Sequence, residues 1–409
     1  MDYLSDAWER HSHSTAVIVA TTAVATTAII TILRHALYPT WRQKTFPSPL
    51  QTTLPKLGDE ASKLDYKPDA FPGARDVPTP YGSMRVYEFG PETGRKALFI
   101  HGISTSCQTL TYLARGLAES GHRVMLFDLW GRGFSDGVGD LPHDARLYAS
   151  QALLALASSP LPWTGAAGFD LVGYSMGGGV AVHLAAALPA TVRSLVLLAP
   201  AGMIREVSFG AVARFVFQSG YVPDRLLSAV TRRRLRKPIA SSVRKNRGIV
   251  EAEEDALAGA VLDAKTAEAV ELAAAELSHQ DGDGNNGDGA EADPTPLNAR
   301  VMRYVHWMID NHAGFVPAFL SCVRHAPLFG QQDVYSALAE RPARSVCVVL
   351  GRRDEVVHPE DFEADALPLM GGREKVPDVT VVGGGHDFPM THSKETLKAM
   401  QQFWGEGGG

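Results

Sequence analysis

Read from its residues alone, the chain predicts an α/β fold. The sheet is mostly parallel and doubly wound, a helical cap is inserted near its C-terminal edge, and a transmembrane helix precedes it. Three observations carry this expectation. Short, continuously apolar runs alternate with helical spacing from residue 75 to 202 and again over 313–409, as strands buried on both faces require. A mostly helical stretch, 203–312, breaks that rhythm between two core strands. A serine sits between glycines where an apolar strand runs into a helix, Gly173-Tyr174-Ser175-Met176-Gly177.

Composition bounds the rest. The chain has 409 residues, 45% apolar and 21% charged, which is a globular balance with room for one large domain. A net charge of −6 supplies no basic field, so the sequence supports no nucleic-acid partner. Three cysteines, Cys107, Cys322 and Cys347, with no C-x-x-C pair argue against a disulfide framework and a zinc site.

In chain order, residues 1–13 form a polar tail. Ser14 to Leu33 carry no charge, and twenty residues at about 1.5 Å each would just span a hydrocarbon core. The acidic residues Asp2, Asp6 and Glu9 ahead of the run argue against a cleaved leader. The expectation is a single membrane anchor over 14–37. Arg34, Arg42 and Lys44 behind it place the following domain on the cytoplasmic side. Residues 38–74, rich in proline, read as an extended linker.

The first part of the core, 75–202, holds an edge strand at Ser83–Phe89. Apolar strands follow at Lys96–Ile100, Arg123–Phe127, Phe169–Tyr174 and Ser194–Ala199. Helical spacing fills Thr105–Ser120, Leu141–Ser158 and Met176–Leu188 between them. The cap, 203–312, contains an acidic low-complexity insertion at 279–296. That insertion lacks the glycine and glutamate an EF-hand loop needs at its sixth and twelfth positions. The second part of the core, 313–409, has strands at Val346–Leu350 and Val379–Val382 and helices at His358–Leu369 and Thr391–Trp404.

The chain from about residue 75 to 404 resembles the α/β-hydrolase superfamily in its lipase/esterase-like branch with a helical cap. His101-Gly102 ends a strand, and D-x-W-G-R-G-F-S runs from Asp128 to Ser135. G-Y-S-M-G resembles the nucleophile elbow, G-R-R-D at Gly351 to Asp354 the acid turn, and G-G-H-D at Gly384 to Asp387 the histidine turn. Their order, Ser then Asp then His, is the one this fold uses.

That resemblance assigns roles. A serine hydroxyl attacks only when a base takes its proton. His386 is the base for Ser175, and Asp354 holds the imidazole in the right tautomer. The oxyanion donors are the backbone N–H groups of Met176 and Ile103. His358 and His392 compete with His386, and Asp387 and Asp128 with Asp354. The basic residues within Thr231–Lys237 and Arg244–Arg247 read as a solvated helix face paired with Glu251–Asp255, or as a patch for anionic lipid. Phe209, Phe215, Phe217, Trp307 and Phe315 line an acyl pocket or form the cap's own core. The expected activity is cleavage of a lipid or small acyl ester with no metal or organic cofactor. The alternatives are a non-catalytic ligand-binding or scaffold protein, and a serine-dependent carbon–carbon hydrolase or haloperoxidase-like relative.

Overall fold

The computed structural model describes residues 17, 19–31, 44–165, 168–204, 224–235 and 295–405. The chain divides into two units, Met1–Gln43 and Lys44–Gly409. In the first, residues 19–31 are helical and exposed. Threonine hydroxyls bond back along this helix, Thr27 to the Ala23 carbonyl (2.8 Å) and Thr31 to that of Thr27 (2.7 Å). The expected transmembrane helix over 14–37, of which 17 and 19–31 are described, is not supported. Thr21, Thr22, Thr26, Thr27 and Thr31 dilute its apolar surface. Among the described residues, no helix is long and apolar enough to cross a membrane.

The second unit is built on strands β1 (Thr45–Phe46), β2 (Arg75–Thr79), β3 (Gly82–Phe89), β4 (Arg95–Ile100), β5 (His122–Phe127) and β6 (Gly137–Val138). Strands β7 (Phe169–Tyr174), β8 (Val192–Leu198), β9 (Val346–Gly351) and β10 (Asp378–Val382) complete it. Eight of them form one sheet in the order β10-β9-β8-β7-β4-β5-β3-β2. β10 through β5 run parallel, and β3 and β2 join antiparallel. The edge strand is therefore β2, not Ser83–Phe89. The sequence signal for β2 was hidden by Pro78, which an edge strand tolerates.

Helices α1 (Thr111–Glu119), α2 (Ala145–Ala157) and α3 (Met176–Ala187) follow β4, β5 and β7. Asp144 caps α2 by accepting from Arg146 N and Leu147 N, so that helix starts later than its apolar spacing suggests. Helices α4 (Asp224–Leu235), α5 (Leu297–Asn311) and α6 (Phe315–His325) pack on one another, and α7 (Ser393–Phe403) closes the chain against α1. In α4, Leu227, Thr231 and Leu235 are buried at a spacing of four, one stripe of a helix. The expected helix at His358–Leu369 is present as an α-helical turn, Pro359–Asp361, that widens into a π-helix at Phe362–Ala366.

Residues 44–74 are no linker. Asp136 accepts from Ser48 N (2.7 Å) and Ser83 N (2.7 Å), and β1 pairs with β6. Tyr66 and Phe71 are buried in the core. The insertion at 279–294 and the charged segments Arg244–Arg247 and Glu251–Asp255 lie outside the described residues, as do Phe209, Phe215 and Phe217. Phe315 is buried in the core, and Trp307 stacks on Tyr304 with ring centroids 5.3 Å apart.

Candidate active site

The serine turn is forced by close packing. A side chain on Gly173 would meet the Gly177 carbonyl at 2.5 Å, and one on Gly177 would meet the Ile100 and His101 carbonyls at 2.3 and 2.5 Å. Ser175, between them, has φ 55° and ψ −124°, a conformation that costs about 1–3 kcal/mol. The neighbours hold it there. Its N–H donates to the Leu198 carbonyl (2.9 Å), and its own carbonyl accepts from Gly178 N (2.8 Å) and Ala201 N (2.9 Å).

Parallel pairing of β9 with β10 puts Gly351 opposite Val382, so the two following turns leave the sheet side by side. They are stitched together: Arg352 N donates to the Val382 carbonyl (2.8 Å) and Arg353 N to that of Gly384 (2.9 Å). Asp354 and His386 stand on these turns. Asp354 Oδ1 accepts from Val356 N (2.8 Å) and Val357 N (2.9 Å), leaving Oδ2 2.8 Å from His386 Nδ1. His386 Nε2 lies 3.0 Å from Ser175 Oγ. Tyr174 Oη donates to the His386 carbonyl (3.0 Å). All three polar side chains are buried. With Nδ1 donating to the carboxylate, Nε2 is left to accept the serine proton.

The rivals sit elsewhere. His358 is exposed, and His392 Nδ1 pairs with Thr391 Oγ1 at 3.1 Å. Asp387 is buried beside His386, accepts from Asn298 Nδ2 (3.4 Å), and is pushed up to about 6 by burial. Asp128 is a structural hub. Its carboxylate accepts from Cys107 N (3.0 Å), Phe134 N (2.9 Å) and Tyr66 Oη (3.1 Å), and burial raises its pKa to about 6. A side chain on Gly133, at φ 53°, would strike that carboxylate at 2.1 Å.

His101, Cys107 and Asp128 have ligating atoms within 4.8 Å of one another. Both ring nitrogens of His101 are engaged, Nδ1 with the Gly102 carbonyl (2.9 Å) and Nε2 with Leu129 N (2.9 Å). Burial holds its pKa down to about 3. These bonds order the loop that carries Ile103 and leave no histidine lone pair for a metal.

Met176 N–H belongs to the first turn of α3, where amides have no intrahelical acceptor and the helix dipole favours negative charge. The Ile103 carbonyl is held by the buried Arg132, from Nε at 2.9 Å and Nη2 at 2.8 Å. Sequence reasoning passed over Arg132, although it stands in the quoted W-G-R-G. An arginine flanked by glycines in an apolar neighbourhood was the available signal.

The Hydrolase_4 family model, described as Serine aminopeptidase, S33, matches residues 92–283. The chain is 36% identical over 130 residues to Lipase LipV of Mycobacterium tuberculosis, covering 30% of this chain and 46% of that one. It is 30% identical over 121 residues to a serine hydrolase-like protein of Dictyostelium discoideum, covering 29% and 32%. It thus spans under half the length of these curated relatives. A solved structure described as a membrane phospholipase A and bacterial virulence factor superposes with a TM-score of 0.52 at 18% identity, over 94% of this chain and 98% of that one. Strand order, serine turn and the family match agree, and the chain belongs to the α/β-hydrolase superfamily.

Proposed function

We propose that this protein is a serine hydrolase that cleaves a carboxylic ester, of a lipid or a small acyl compound, through an acyl-enzyme intermediate. The observation that carries the reading is the unbroken chain Ser175 Oγ–His386–Asp354, with contacts of 3.0 and 2.8 Å. His386 Nε2 takes the Ser175 proton as Oγ adds to the ester carbonyl. The carbonyl oxygen becomes an anion facing the N–H groups of Met176 and Ile103, each worth about 3–4 kcal/mol to the transition state. His386 then gives the proton to the departing alcohol. Water repeats the sequence on the acyl-enzyme: His386 takes its proton, the acid leaves, and Ser175 is restored. Asp354 keeps the imidazole oriented throughout and stabilises its charged form. The relative described as a lipase and the neighbour described as a phospholipase support a lipid ester as the first class to try.

A fluorophosphonate probe tests the reading. It should label wild type and fail to label Ser175→Ala. Absence of labelling on folded wild type would sink the proposal. A panel of esters of graded chain length, beside a phospholipid, then sets the substrate class.

A further inference from the structure

We propose that Arg132 is the positioning residue of the oxyanion loop: its guanidinium fork grips the Ile103 carbonyl and so fixes where the Ile103 N–H points. This rests on the reading of Ser175 as nucleophile and Ile103 as an oxyanion donor. Arg132 is fully buried on the turn after β5, and burying a guanidinium costs several kcal/mol unless its donors are well used. They are. Nε and Nη2 converge on the Ile103 oxygen, at 2.9 and 2.8 Å. Nη1 donates to the Trp130 carbonyl (2.9 Å) and to Tyr148 Oη (3.2 Å), and Nη2 also reaches Cys322 Sγ (3.3 Å).

Two donors from one rigid plane on one acceptor fix a direction as well as a distance, which a single flexible ammonium cannot do. The Ile103 N–H lies in the same rigid peptide plane as the Gly102 carbonyl, which His101 Nδ1 holds at 2.9 Å. Arg132 holds the next plane through the Ile103 carbonyl, so the two planes hinged at the Ile103 Cα are both pinned and the amide has little room to swing. Tyr148 on α2 and Cys322 on α6 anchor the far side of the fork. The oxyanion loop is thereby tied to the sheet turn and to two helices. The cation also places positive potential in this region. His101 and His143, each lowered to about 3 mainly by burial, are lowered further by the Arg132 charge. That sign suits a site where an ester oxygen gains negative charge.

The test is steady-state kinetics on the best ester from the panel, beside inhibition by a trifluoromethyl ketone, which forms a tetrahedral oxyanion on the serine. Arg132→Lys should lower kcat by about 10–100-fold with KM within about threefold, and weaken the ketone by a matching factor. A purely structural brace predicts a lower melting temperature with kcat kept; that outcome, or a kcat loss without loss of ketone affinity, overturns the inference. Should Arg132→Lys not fold, the double variant Tyr148→Phe/Cys322→Ala removes only the outer anchors. It should lower kcat and ketone affinity together by a few-fold, and full kcat there overturns the proposal equally. If wild type neither turns over esters nor takes the fluorophosphonate, the hydrolase reading fails and carries this one with it. An active wild type with an equally active Arg132→Lys sinks this inference alone.

Discussion

The two ends of strand β7 treat buried polar groups in opposite ways. At its start, the fully buried Asp170 carboxylate is caged. Arg95 reaches it from Nε (2.6 Å) and Nη2 (3.0 Å), Arg193 adds a second guanidinium, and Ser194 Oγ donates at 2.6 Å. Burial pushes the Asp170 pKa up, but these partners overcome it and leave the group below its ordinary value. Just past the other end, Ser175, His386 and Asp354 form an open line of hydrogen bonds along which a proton can pass. Asp354 is satisfied by two backbone amides and a histidine, and among the described residues no arginine closes the set into a cage. Burial alone therefore does not mark a site. The difference lies in whether the partners lock the charge or leave a proton free to move.

The largest test of that contrast is at the open end. Ser175→Ala should cut ester turnover by about 10⁵-fold or more while the protein stays folded by circular dichroism. His386→Ala should match it, because the two act as a unit. Near-normal turnover would place the nucleophile elsewhere in the first variant, or the base elsewhere in the second, and dissolve the comparison. At the caged end the effect should reverse in kind. Removing one member of a buried ion pair costs about 3–5 kcal/mol, and Arg95 and Arg193 are 29% and 39% exposed, so water can take part of their charge. Asp170→Asn should therefore lose about 3 kcal/mol in denaturant unfolding, with kcat of the folded fraction unchanged. A substantial fall in kcat would show that the far end of β7 reaches the serine. The cage also sets a pH limit. The folded pKa of Asp170 is depressed, so its stabilisation is present above the ordinary carboxylate value and is lost as pH falls through the folded one.

Much of this arrangement was legible in the sequence because its signals are local. An apolar run buried on both sides reads as a core strand, and a glycine pair around a serine reads as a turn whose backbone tolerates no side chain. The acid and histidine turns were legible for the same reason, each standing directly after a strand. What escaped depends on distant contacts. Residues 44–74 read as a linker because nothing near Ser48 announces that its amide will meet Asp136 eighty-eight positions later. Tyr66 gave no sign of its bond to Asp128. Arg132 was readable as an unusual residue, but not as the clamp on Ile103, since that needs the β4 and β5 turns side by side.

The smallest effect lies in a second buried histidine, which sharpens the contrast with His386. His312 Nε2 faces the Ser135 carbonyl at 2.9 Å, and its Nδ1 accepts from Gly314 N at 3.1 Å. One nitrogen must donate and the other accept, so the ring is locked neutral; a second proton on Nδ1 would point at an N–H. Burial, with the Arg132 charge adding, accordingly holds its pKa down to about 4. The unfolded chain, with a histidine near its ordinary value of about 6.5, binds a proton in the window between those values that the folded chain refuses. Stability from His312 is thus complete above about pH 6.5 and falls as pH drops toward 4. Asp128 and Asp387, each raised to about 6, act with the opposite sign, because their folded forms hold protons the unfolded chain gives up. Total stability against pH mixes these terms, so a single variant is needed to separate them. His312→Gln should cost about 1–2 kcal/mol at pH 7 through weakened hydrogen bonds, and the gap to wild type should close as pH is lowered from 6.5 to 4. Urea unfolding at half-unit pH steps measures it. A gap that stays constant across that window would mean His312 takes up its proton while folded, and the distinction between a locked histidine and a proton-passing one would then rest on His386 alone.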